Sequence, residues 1–236
     1  MDLFDPSPVI HNRSTARPGA DFLHKKSADM LLERLQLIKK SFSQIAVLGR
    51  QQEYIASKIQ ADNSSTIAFE LSPDTTYDLI ISNMEYHRQN DVPARVAVNH
   101  ALLQEEGLFL STFLGGETLA ELRHCFIAAE TELSGAVSPR IHPMMDLASA
   151  SGILSQPGFK DPVSDRQQVS VTYSSAGDLM QDLRAMGEGN ILAERVKSFS
   201  PKKLFHLAEE KYQQLYNTDN NRLTATFELI FLSGWK

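Results

Sequence analysis

The sequence predicts a doubly wound α/β protein, a mostly parallel sheet with helices on both faces. Three observations predict it. Ile45–Leu48 is a compact apolar run that stops at Gly49, and Tyr54, Ile55 and Ile59 follow at helical spacing. Strand-like and helix-like segments then alternate along most of the chain. A long alternating segment from Leu223 to Phe231 closes it.

Composition sets the outer limits. The chain has 236 residues and a formal charge of −6, with a pI near 5.6. A general nucleic-acid binder needs a basic surface to neutralise phosphates, so that class is set aside. No apolar run approaches the roughly 20 residues that span a bilayer, so the chain is not expected to be integral to a membrane. The acidic Met1–Asp5 start resembles neither a secretory signal nor an arginine-rich presequence. A cytoplasmic location is expected, or the mitochondrial matrix if a presequence has been removed. The single cysteine, Cys125, sits among apolar residues and reads as core.

Residues 1–20, with Pro6, Pro8, Pro18 and Gly19, predict an extended arm, and 21–236 a single domain with a helical insert at about 174–218. Leu31, Leu35 and Ile38 give the helix over 21–40 one apolar face. The strand and helix around Gly49 run to about Ala61, and Ser64–Leu71 reads as a second strand with Glu70 near its end. Glu70 lies at the distance from the glycine turn where an acidic residue commonly accepts hydrogen bonds from ribose hydroxyls, and equally suits a solvated strand end. Only Ser72–Thr76 separate this strand from the next, Tyr77–Ser82, whereas a parallel crossover needs a dozen residues or more. Either a unit is missing or the pair is antiparallel.

Asp91 and Pro93 then start a helix expected to bury Ala94, Val98, Ala101 and Leu102. Strand Leu108–Phe113 stops at Gly115–Gly116, and a helix over Glu117–Leu133 carries an apolar face of Leu119, Leu122, Phe126, Ala129 and Leu133. A short helix over Asp146–Gln156, a strand over Val169–Tyr173, and helices over Asp178–Met186 and Lys202–Tyr216 precede the closing strand.

Several stretches carry a family likeness: Phe4-Asp5, Gly115-Gly-Glu-Thr-Leu-Ala-Glu-Leu-Arg123, Asp182-Leu-Arg-Ala-Met-Gly-Glu-Gly-Asn190 and Ala225-Thr-Phe-Glu-Leu-Ile-Phe-Leu-Ser-Gly-Trp235. The chain resembles the class I S-adenosylmethionine-dependent methyltransferase family that contains a mitochondrial complex I assembly factor, an arginine hydroxylase, and its bacterial relatives. The resemblance implies a Rossmann-like methyltransferase fold with an antiparallel last strand. It also implies that one strand-helix unit is missing before Tyr77. The family's first turn reads acidic-x-Gly-x-Gly-x-Gly, and the matching positions here are Val47, Gly49, Gln51 and Glu53. Gly49 and Glu70 are thus the candidate cofactor residues.

The family's His-aromatic-x-Asn-Asp stretch matches His87, Asn90 and Asp91, with Arg88 in the aromatic place, so His87 is the candidate catalytic group. The same match places Asn90 and Asp91 beside the site, while Gly115, Gly116 and Glu117 read either as a plain strand-to-helix turn with an acidic first residue or, with Arg123, Glu188 and Asn190, as part of a substrate or partner surface. Two readings follow: a binding protein with a reduced S-adenosylmethionine site that engages a protein such as a respiratory complex I subunit, or an active S-adenosylmethionine-dependent enzyme that modifies a protein side chain. No metal-ligand pattern appears in the sequence.

Overall fold

A computed structural model describes residues 2–5, 20–59 and 65–236. The expected arm over 1–20 lies mostly outside the described residues. The described chain forms two compact units. One comprises Phe22–Gly115, Met145–Gln167 and Leu229–Lys236; the other comprises Gly116–Met144 and Gln168–Glu228 with the described residues up to Asp21.

In chain order the elements are α1 Phe22–Gln36, β1 Gln44–Gly49, α2 Gln52–Ile59, β2 Thr66–Ala68, β3 Tyr77–Asn83, a 3-10 turn Tyr86–Arg88, α3 Val92–Leu102, β4 Leu103–Leu114, α4 Ala120–Ser134, α5 Leu147–Ser155, β5 Lys160–Tyr173, α6 Ala176–Met186, α7 Lys202–Tyr216 and β6 Leu223–Trp235. The strands are ordered β2-β1-β3-β4-β6-β5. β1 runs parallel to both β2 and β3, and β3 parallel to β4. β6 is antiparallel to β4, with Leu114 opposite Leu229 and Leu108 opposite Trp235. This mostly parallel sheet with an antiparallel last strand is the arrangement that the family resemblance implies.

The short connection before Tyr77 now has an explanation. β2 and β3 are both parallel to β1 and lie on opposite sides of it, which overturns the antiparallel alternative; the crossover between them, residues 69–76, is made of bends and turns without a helix. Only three residues of β2 are paired, which keeps the return path short. The doubly wound order places a further strand outside the second one; among the described residues β2 is the sheet edge.

The sheet unit packs one core from Ile80, Phe109, Phe113, Ile230 and Leu232 against Val92 and Val96 of α3 and Ile153 and Leu154 of α5. That face of α3 differs from the expected one. Val92, Val96 and Asn99 are buried, while Ala94, Val98 and Ala101 are exposed. The reason is Asn99, whose amide donates to the buried Tyr86 hydroxyl and so satisfies itself inside the core. On the other sheet face, α1 buries Leu23, Ala28 and Leu31, and the Arg34 guanidinium stacks 3.5 Å from the Phe231 ring centroid.

In the second unit, α7 has the predicted bounds and buries Leu204, Ala208 and Tyr212, although Leu215 is exposed. α4 begins later than expected, at Ala120, because Leu119 takes a left-handed backbone (φ 55°) and a turn fills the preceding residues. Gly115 therefore precedes that turn and Gly116 begins it, and neither opens the helix. Among the described residues, no helix is long and apolar enough to cross a membrane.

Candidate functional site

The site begins at the turn between β1 and α2. Gly49 has φ 88°, and a Cβ there would lie 2.2 Å from the Asn83 carbonyl oxygen and 2.5 Å from Cγ of Glu85. Only glycine fits such a position. Arg50 N–H donates to the Asn83 carbonyl (2.8 Å), which ties the turn to the end of β3.

The Asn83 side chain closes the arrangement. It is fully buried, donates to the carbonyls of Arg50 (2.8 Å) and His24 (3.1 Å), and accepts from Ser27 Oγ at 2.8 Å. One amide thus joins α1, the β1 turn and β3. Gln51 follows with a left-handed φ of 59°, the conformation a glycine adopts freely. Glu53 puts a negative charge in the first turn of α2, where the helix dipole favours it and where it opposes any anionic ligand.

Beside this turn, at the carboxyl ends of β1 and β3, lies a cavity of about 310 Å³. Leu48 and Leu71 supply apolar wall, Tyr86 and Ser82 hydroxyls, and Glu85, Asp91 and Arg95 charge. Burial, the largest effect, pushes the Tyr86 phenol far above its usual range, so it stays neutral. Asp91 caps α3 by accepting from Ala94 N–H at 3.0 Å.

The candidate residues scatter around this cavity. Gly49 lies against the Glu85 side chain. His87 and Arg88 are buried in the 3-10 turn, at 4% and 5% exposure, and neither is among the cavity's lining residues. Asn90 is exposed, as is Glu70 beyond β2. A larger cleft of about 600 Å³ lies between α1 and α2, where Lys26, Asp29, Tyr54 and Lys58 meet. None of the candidate residues lines it.

The second unit uses its candidate residues to hold loops. Arg123 donates to the Gly116 carbonyl at 3.3 Å and to the Thr118 carbonyl at 3.1 Å. Glu117 N–H donates to the buried Glu228 carboxylate at 3.0 Å. Glu188 N–H closes the end of α6 on the Leu183 carbonyl (2.7 Å). Asn190 donates to the Pro139 carbonyl (2.9 Å) and accepts from Leu192 N–H (3.0 Å). Gly115 belongs to the sheet unit and is buried. Cys125 is wholly buried, and burial, with Glu121 nearby, pushes its thiol up to about 12. Among the described residues, no group of three His, Cys, Asp or Glu side chains is placed to hold a metal.

Asn83 and Glu85, which shape the turn most, were not singled out in the sequence. An asparagine two residues after the apolar run Leu79–Ile81 shows that an amide at a buried strand end needs partners, but not which residues supply them.

No family model matches the chain. It is 36% identical over 174 residues to the mitochondrial arginine-hydroxylase NDUFAF5 of Dictyostelium discoideum, with 73% of this chain and 40% of that protein covered. It is 30% identical over 159 residues to the malonyl-[acyl-carrier protein] O-methyltransferase of Gallionella capsiferriformans, covering 67% of this chain and 52% of that protein. The chain thus spans about half the length of these curated relatives. Among solved structures, a methyltransferase-like protein of Bacillus halodurans superposes with a TM-score of 0.54 at 12% identity, covering 87% of this chain and 98% of that one. That likeness concerns the fold.

Proposed function

The chain belongs to the class I methyltransferase-like family, with arginine-hydroxylase NDUFAF5 proteins among its homologues, and from that premise we propose that it is a binding protein of respiratory complex I assembly. On this reading it engages a protein partner through a reduced form of the family's cofactor pocket. The observation that carries the reading is Glu85, whose Cγ packs directly over Gly49 at the turn where ligand and backbone would meet.

On the same reading S-adenosylmethionine does not fit. Gln51 and Glu53 put side chains and negative charge into the turn. Glu70 stands exposed beyond a three-residue strand. The cavity of about 310 Å³ is at the small end of pockets that enclose a drug-sized ligand, which begin at about 300 Å³. Such a cavity takes a side chain of a protein partner. A mitochondrial-matrix or bacterial cytoplasmic setting accompanies this reading.

A second reading, an active S-adenosylmethionine-dependent enzyme acting on a protein side chain, has one observation in its favour. Gln51 keeps the left-handed backbone at the position of the family's second glycine, so the turn has the family's path even where the residue differs. The two readings separate in an affinity capture of complex I subunits by the full chain, with and without S-adenosylhomocysteine. The binding reading predicts the same captured subunit in both. Capture that requires the nucleoside, or no captured subunit in either condition, would overturn it.

A further inference from the structure

The second unit carries a short projecting tip whose two ends are fixed. At one end, Arg195 donates to the Leu192 carbonyl at 2.7 Å and pairs with Asp5 at 3.1 Å. At the other, Ser200 Oγ accepts from Arg140 at 3.1 Å, and Arg140 is itself held by the buried Glu130 carboxylate at 2.7 Å. Pro201 then leads into α7.

Between these pins stand Val196, Lys197, Ser198 and Phe199. Val196 is 42% exposed and Phe199 is 106% exposed, so the Phe199 ring touches essentially nothing of the protein. A single exposed hydrophobic is ordinary on a protein surface; what distinguishes this one is that its loop is anchored at both ends and that exposed lysines flank the ring. Lys197 precedes the ring and Lys202 and Lys203 follow it; all three are exposed, and none forms an ion pair among the described residues. No acidic residue occurs from Arg195 to Ala208, although Glu194 lies just before the tip.

We propose that the Val196–Phe199 tip is a membrane-contact element that seats on an anionic phospholipid surface. Phe199 enters the boundary between headgroups and acyl chains, and Lys197, Lys202 and Lys203 meet the lipid phosphates. An aromatic side chain inside a collar of lysines is the local form of an interfacial anchor. The chain's net charge of −6 does not oppose this at physiological salt, because charges beyond about 8 Å are largely screened. The pinned ends present the ring in place, which reduces the ordering cost of insertion.

The test is co-sedimentation of the full chain with phosphatidylcholine vesicles that contain phosphatidylserine, against phosphatidylcholine alone, at low and high salt. Binding to the anionic vesicles that weakens with salt is expected. Phe199→Ser should lower it about tenfold or more, and Lys202→Gln should lower it about fivefold. Both changes fall on exposed side chains, so an unchanged circular dichroism spectrum and unfolding midpoint separate loss of contact from loss of fold. No binding to anionic vesicles at low salt, equal binding to neutral ones, or binding that Phe199→Ser leaves intact would overturn the proposal. Phe199-dependent binding to soluble polyglutamate without vesicle binding would also overturn it, in favour of an acidic protein.

Discussion

Gln51 and Gly49 set opposite demands on the same turn. Gln51 has φ 59°, a conformation that costs an L-residue roughly 1–2 kcal/mol and a glycine almost nothing sterically. Gln51→Gly should therefore raise stability by up to about 1 kcal/mol, less whatever its amide contributes, since glycine loses more chain entropy. Gly49→Ala should lower it by about 3 kcal/mol, because the new Cβ meets the Asn83 carbonyl, part of the backbone, at 2.2 Å. Urea unfolding of the two variants checks both signs; a destabilised Gln51→Gly would mean that the side chain holds the turn. The glycine and its departures from the family pattern were legible in the sequence, because a family turn constrains neighbouring residues. Asn83 was not legible: its partners Arg50, Ser27 and His24 lie 33, 56 and 59 residues away, and no local pattern reports such distances.

At the scale of elements, α4 and the link after it are joined by one buried carboxylate. Glu130 accepts from Ser138 N–H at 2.7 Å and from the Ser138 hydroxyl, and pairs with Arg140. Burial raises its pKa, but the Ser138 hydrogen bonds and the Arg140 charge outweigh that and hold it below the ordinary 4.5. A depressed carboxylate contributes stability above its unfolded pKa, and that contribution is lost as pH falls through the folded value. Glu130→Gln should accordingly cost about 2 kcal/mol at neutral pH, and the wild-type and variant unfolding curves should converge in acid. A gap that persists well below the ordinary carboxylate range would refute this assignment. Helix α7 was legible to its ends because its stripe of Leu204, Ala208 and Tyr212 is regular. The buried face of α3 was misread because it contains Asn99, and a polar residue reads as core only once the Tyr86 hydroxyl is known to meet it. β4 also begins earlier than its apolar run, at Leu103, because a register shift opposite Tyr77 and Leu79 takes up Gln104–Gly107.

For the whole molecule, the alternation of helices and strands was readable from periodicity, the antiparallel β6 came only from the family resemblance, and the short link before Tyr77 left open a missing unit or an antiparallel pair. That β2 forms the sheet edge became visible only in the strand order, since strand order depends on pairings between distant segments. The pocket's size was likewise invisible beforehand, because its lining comes from segments as far apart in the chain as Leu48, Leu71 and Asn99. On the proposed reading this pocket no longer takes the family's cofactor and the protein works by binding. Calorimetric titration of the purified full chain with S-adenosylhomocysteine and S-adenosylmethionine tests it most directly, with thermal shift as a second readout, because a ligand that binds the native state must raise its apparent stability. No heat and no shift at millimolar ligand is the predicted result; saturable micromolar binding would contradict the account.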